Sequence, residues 1–246
     1  MSLSRLRLVP FVLALAAVAV PAAGCSTTPT APAATSTSAS DPSTAPTAPG
    51  EHDSGDVGAA WLAGGASIGI VTWGSSSKDC QPHRADAKAD GQTIEVTLTD
   101  RAGENTACTA DFGPRAIAFP VPGGVDVTKD VAVRIVYRDL TEDADLDALD
   151  AVPSDAPIGQ PSAGWFDDDG ILLITYGSST CPPVPEQAVQ TKDQISVSFA
   201  SLDRVCTMDL SPRVTVIQLT EERQGDGSFT LRMQGDGLSG EVPVLG

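Results

Sequence analysis

The chain has 246 residues and a net charge of −17, with 4 % aromatic residues, five cysteines and two histidines. Nucleic acids and anionic lipid head groups both demand positive patches, so so acidic a chain argues against either as a partner. The scarcity of aromatics argues against a stacking platform for carbohydrate, and with only His52 and His83 and no Cys-x-x-Cys pair, no zinc site or other cofactor is expected.

At the N-terminus, Arg5 and Arg7 precede an apolar run from Leu8 to Val20, followed by Pro21, Ala22, Ala23, Gly24 and Cys25. The run is about 13 residues, whereas a membrane-spanning helix needs roughly 20. Residues 1–24 therefore read as a cleaved signal peptide rather than a retained span. Ala22-Ala23-Gly24-Cys25 resembles the lipobox of bacterial lipoproteins, although Ala22 stands where Leu, Val or Ile is usual. The resemblance covers only these first residues. It implies cleavage before Cys25, a diacylglyceryl thioether on its sulfur, and residence on the outer face of the cytoplasmic membrane. Two or more acyl chains anchor a protein stably where one does not. The alternative is ordinary signal cleavage and a soluble product with a stray cysteine.

Residues 25–57 hold little besides Ser, Thr, Pro, Ala, Gly and acids. Such a composition buries too little apolar surface to offset its ordering entropy, so a lipid-anchored extended tether is expected.

Beyond it lies an internal repeat. Trp61-Leu62, then Ile68 through Ser76, matches Trp165-Phe166, then Leu172 through Ser179. Cys80 and Cys181 follow, each with a proline close behind. The alternating runs Thr93–Leu98 and Gln194–Phe199 come next. Cys108-Thr109-Ala110-Asp111-Phe112-Gly113-Pro114-Arg115 then matches Cys206-Thr207-Met208-Asp209-Leu210-Ser211-Pro212-Arg213 at five of eight positions. Arg134 and Arg232 each lie nineteen residues after the preceding repeated arginine.

The period-two alternation of Ile94, Val96 and Leu98, and of Ile195, Val197 and Phe199, predicts β-strands. Asp90-Gly91, Gly123-Gly124 and Gly225-Asp226-Gly227 predict turns. The fold expected is all-β: two tandem copies of a small antiparallel sheet or sandwich, each of four or five strands, over residues 58–138 and 164–246. Residues 139–163 read as an acidic linker with one short helical turn near Leu146 and Leu149. Whether the copies stay apart or pack as one body is open.

Once Cys25 is assigned to lipid, four cysteines remain for an oxidising compartment. The pairing that respects the repeat is Cys80 with Cys108 and Cys181 with Cys206. The loops so closed give about 3.5 kcal/mol per bridge.

Two constellations survive duplication. Ser75 and Ser76, repeated as Ser178 and Ser179, suggest either a hydroxyl-lined ligand cradle or a turn that satisfies its own backbone. A serine nucleophile needs a nearby base, and the second copy has no histidine. Arg115 and Arg134, repeated as Arg213 and Arg232, suggest an anion site, or one structural ion pair per copy, with Asp111 or Asp209, that fastens the cysteine turn to a neighbouring strand. The repeated Trp61, Trp73, Trp165 and Tyr176 suit packing better than display. The acids between Asp143 and Asp150 lack the Gly and Glu of a calcium loop, and Asp167-Asp168-Asp169-Gly170 suits a turn. The expectation is a non-enzymatic envelope lipoprotein that binds a partner or ligand or plays a structural part. Its rivals are a small-anion receptor and an envelope enzyme.

Overall fold

The computed structural model describes residues 56–101, 106–150 and 159–246. The signal segment, Cys25 and most of the tether, together with residues 151–158 of the acidic stretch, lie outside the described residues.

The described chain is all-β. Copy 1 contains β1 (Val57–Leu62), β2 (Ser67–Gly74), β3 (Pro82–Asp90), β4 (Thr93–Asp100), β5 (Gly113–Pro120), β6 (Val131–Tyr137) and β7 (Leu140–Leu146). Copy 2 contains β8 (Ser162–Asp167), β9 (Gly170–Gly177), β10 (Pro185–Thr191), β11 (Gln194–Phe199), β12 (Ser211–Gln218), β13 (Phe229–Gly235) and β14 (Leu238–Leu245). Among the described residues each copy thus has seven strands rather than four or five. The acidic stretch expected as linker with a helical turn begins with β7 instead. Its Leu146 and the nearby Leu149 are buried in the first core, and that burial outweighs the poor strand propensity of its acids.

The two copies share one strand order. In copy 1, sheets β1-β2-β5 and β3-β4-β6-β7 face each other; copy 2 repeats this as β8-β9-β12 and β10-β11-β13-β14. The duplication is therefore structural as well as textual. The units are not purely antiparallel: β4 runs parallel to β6, and β11 to β13. After β4 the chain crosses to the other sheet to form β5, so it returns to the same edge in the original direction. In copy 2, β14 also pairs in parallel with β8 and joins both sheets into one seven-stranded sheet.

Each copy has its own core. Ile94, Val96, Val133 and Ile135 pack on Trp61, Ile68 and Ile70 in the first; Ile195, Val197, Leu231 and Met233 pack near Trp165, Ile171 and Leu173 in the second. A third cluster lies between the copies, made of Ala60, Leu62, Val71 and Trp73 against Leu172 and Ile174. The copies are therefore packed as one body. The three-stranded sheets are apolar on both faces, which accounts for the unbroken apolar runs of β2 and β9. The alternating strands β4 and β11 cover only one core each.

Across the junction β1 and β8 run in opposite directions. A Cβ on Gly58 would meet Phe166, a Cβ on Gly164 would lie 2.1 Å from the Trp61 carbonyl oxygen, and the Ala63 N–H donates to Ser162 Oγ at 2.8 Å. This is the pattern of an internal two-fold axis. It also means that β2 and β9 run in opposite directions, so the loops that follow them point away from each other.

Candidate functional site

Both expected disulfides are present: Cys80 to Cys108 and Cys181 to Cys206, with Cα atoms 5.8 and 5.7 Å apart. Each ties the loop after the second strand of its copy to the loop before the fifth. The repeated serines and the first repeated arginine of each copy cluster around these staples.

In copy 1, Ser75 Oγ lies 2.7 Å from Thr109 Oγ1, and Ser77 Oγ lies 3.0 Å from the same hydroxyl. The Ser76 N–H donates to the Asp111 carboxylate at 3.2 Å, and Thr109 donates its hydroxyl to Asp111. Copy 2 repeats the bracket. Ser178 Oγ is 2.8 Å from Thr207 Oγ1, the Ser179 N–H donates to Asp209 at 3.2 Å, and Thr207 also donates to Asp209. Hydrogen bonds from Ser76 and then Thr109 hold the Asp111 carboxyl below its ordinary range. Those from Thr207, Ser211 and Ser179 do the same for Asp209. The serine hydroxyls and the Ser76 and Ser179 amides are directed at groups of their own copy. The geometry is that of a self-satisfied turn locked to the neighbouring loop.

Arg115 is buried, and its guanidinium donates to the carbonyls of Cys80 at 3.0 Å and Trp73 at 2.6 Å. Arg213 does the same to Cys181 at 2.8 Å and Tyr176 at 3.3 Å. The expected ion pairs to Asp111 and Asp209 are replaced by these carbonyl contacts, because the acids are committed to the serine loops. The arginines still fasten the cysteine turns, through backbone rather than carboxylate. Each guanidinium lies across a glycine: a Cβ on Gly74 or Gly177 would come within 2.8 Å of it. Glycine opens both serine motifs because an arginine occupies the space a side chain would take. Burial pulls both arginines below their usual pKa, in keeping with caps on carbonyls that lack a carboxylate partner.

Arg134 and Arg232 do not converge with them. They sit on β6 and β13, in the other sheet of each copy, on the solvent face. Arg134 pairs with Asp143 directly across the ladder at 3.1 Å, and Arg232 stands opposite Glu241. These are cross-strand charge pairs of the kind that stabilise an exposed sheet face. The anion site imagined from two arginines per copy is not assembled.

No family model matches the chain, and neither a curated protein nor a solved structure matches it.

One surface escaped the sequence reading. Leu202, Val205, Met208 and Leu210, all on the loop spanning residues 200–210, are exposed, Val205 and Met208 fully so at 98 and 104 %. In copy 1 the positions of Val205 and Met208 hold Ala107 and Ala110. Phe112, at the position of Leu210, stacks on Trp73 with ring centroids 6.2 Å apart. The signal of this surface in the residues lies where the two cysteine segments differ, Ala110 against Met208.

Proposed function

We propose that the chain is a lipid-anchored protein of the outer face of the cytoplasmic membrane, held through an acylated Cys25, that serves as a non-catalytic binding module. The surface it offers is the disulfide loop of copy 2, and the partner is an envelope protein with an apolar depression. One observation carries this reading: the duplicated serine loops, with Arg115 and Arg213, are engaged with groups of their own copy, while Leu202, Val205, Met208 and Leu210 stand in solvent on a loop stapled by Cys206. Apolar side chains displayed on a constrained loop lose little conformational freedom on docking, the condition that favours affinity. The acidic charge of the chain keeps such a surface soluble when free.

The test is cross-linking capture from envelope extract with the full lipidated chain. Wild type should retain a specific protein that the variant carrying Val205→Ser, Met208→Ser and Leu210→Ser loses, with both forms melting at the same temperature. Equal capture by both forms would remove the loop from the reading. The anchor is tested separately: Cys25→Ser should leave membranes for the medium or persist as uncut precursor. Membrane fractionation like mature wild type would refute lipidation.

A further inference from the structure

Each disulfide loop carries a short frame that holds one side chain out to solvent. In copy 2, Cys206 is bonded to Cys181, the Thr207 N–H donates to Thr180 Oγ1 at 3.1 Å, and Asp209 accepts the Ser179 N–H at 3.2 Å. Met208 sits between these anchored residues and is fully exposed, at 104 %. Copy 1 builds the same frame from Cys108, Thr109 and Asp111, with the Thr109 N–H donating to Ser77 Oγ at 3.0 Å and the Ser76 N–H to Asp111 at 3.2 Å. There the residue held out is Ala110. The frames agree, and what they display differs: a methyl group in copy 1, a thioether in copy 2.

That thioether is chemically singular in the chain, which holds three methionines and five cysteines. Met1 belongs to the signal segment, and Met233 is 2 % exposed in the second core. Cys25 is the proposed lipid site, and the other four cysteines are already oxidised in the two disulfides. The three tryptophans, side chains that oxidants also attack, are buried. Among the described residues Met208 is therefore the one exposed sulfur in its reduced state. It belongs to none of the three core clusters, so a change at its sulfur leaves the packing of the fold intact.

A thioether in water is open to hydroperoxides. A sulfur lone pair attacks the terminal oxygen of the peroxide, the S–O bond forms as the O–O bond breaks, and the proton of the transferred hydroxyl passes to the departing oxygen. Sulfur loses two electrons, the peroxide gains them, and hydrogen peroxide leaves as water. The product sulfoxide is a polar, chiral group in place of a flexible, apolar one. Met208 shares its loop with the exposed Leu202, Val205 and Leu210, so the new oxygen enters the apolar surface itself. Docked against an apolar depression, that oxygen is an acceptor without a donor, which weakens binding. We infer that Met208 is an oxidation site through which hydroperoxides at the cell surface turn off docking by the copy 2 loop. The inference rests on that loop being the docking surface.

Dilute hydrogen peroxide acting on the full lipidated chain tests this, with peptide mass spectrometry to locate the added oxygen. Met208 should be oxidised as fast as N-acetylmethionine amide in the same solution, and Met233 should stay reduced until the chain is denatured. The oxidised chain should melt at the wild-type temperature. It should bind about tenfold or more weakly the envelope protein that untreated wild type captures. Met208→Leu keeps the apolar surface and cannot accept the oxygen, so it should capture that protein equally before and after peroxide. Equal oxidation rates at Met208 and Met233 in the folded chain would overturn the oxidation site. Undiminished capture by oxidised wild type would overturn the switch while the docking loop stands. A peroxide-induced loss of capture in Met208→Leu would do the same, because it places the damage elsewhere. If the Val205→Ser, Met208→Ser, Leu210→Ser chain captures as well as untreated wild type, the docking loop itself has failed and the inference with it.

Discussion

The two copies are alike where they hold themselves together and different where they meet solvent. Both staple the same loops, lay an arginine across the same glycine and bracket the same Ser-x-Ser/Thr turn with Thr-x-Asp. They part at the turns from β6 to β7 and from β13 to β14. In copy 1, Asp100 accepts two hydrogen bonds from Arg138, at 2.8 and 2.6 Å, and one from the Tyr137 hydroxyl at 2.6 Å. In copy 2, Gly235 and Asp236 stand at the positions of Tyr137 and Arg138, and Asp236 pairs with Arg204 at 3.6 Å. The acid and base have changed sides while the closure was kept. A duplicated unit retains what its backbone needs and is free to trade what only pairs charges.

The disulfides give the largest test of that equivalence. Loops of 28 and 25 residues of separation differ little in closure entropy. Removing either bridge by double Cys→Ala should cost about 3.5 kcal/mol, nearly the same for each. Denaturant unfolding measures both, and a difference beyond about 1.5 kcal/mol would show that the staples hold unequal structures. The arginines should separate the copies next. Arg115 is buried while Arg213 is half-buried. Replacing Arg115 with Met takes its bonds from the Trp73 and Cys80 carbonyls and leaves Cys80 only the longer contacts of Tyr137 and Arg138, 3.4 Å each, which should cost about 1 to 3 kcal/mol. Arg213→Met should cost less, because Arg213 is half-buried and its bond to the Tyr176 carbonyl is the longer, 3.3 Å. A larger loss at Arg213 would reverse the ranking.

Much of this was legible in the residues. The alternation of Ile94, Val96 and Leu98, the cysteine register and the repeated Pro-Arg start of β5 and β12 all led to the right strands and bridges. The missed strand β7 was hidden by composition: Asp143 and Asp145 point to solvent on an edge strand, Glu142 is half-buried on the opposite face, and its apolar residues are few. The packing of the copies was written in β2 and β9, whose apolar residues run on without alternation because both faces are covered. The roles of Arg115 and Arg213 were half visible. Sequence spacing shows that a charge is kept, but not that its partner is a carbonyl brought close by the disulfide.

The Tyr137 phenol sharpens the contrast through pH. Burial first, then its hydrogen bond to Asp100, pushes its pKa up from 10.0 to about 12. A raised pKa means that the fold favours the neutral phenol. Its contribution is complete below pH 10 and is lost as pH rises through about 12. Copy 2 has Gly235 at this place, so the alkaline loss should belong to copy 1. Phenolate absorbance should show a component with a midpoint near 12 that disappears in Tyr137→Phe. A titration of that component near 10 would mean that the ring is solvated and the Asp100 contact is not held.

The smallest difference lies within the serine brackets, and it can be exchanged between copies. Asp209 accepts a hydrogen bond from Ser211 Oγ at 2.7 Å, in addition to those from Thr207 and Ser179. Copy 1 has Gly113 in that position, so Asp111 lacks this donor. Each donor favours the ionised carboxylate, so both groups titrate below the ordinary range, Asp209 with one more reason to do so. A depressed carboxyl stabilises the fold above the unfolded value of 3.8, and that contribution is lost as pH falls through the folded one. Ser211→Gly should therefore raise the Asp209 pKa toward that of Asp111. The reciprocal Gly113→Ser should lower Asp111, since a Cβ on Gly113 meets nothing within 4 Å. Carboxyl carbon shifts followed by NMR against pH read both changes in opposite directions. If Asp209 does not move on removal of Ser211, the extra bond is not made in solution, and the two brackets are the same device twice.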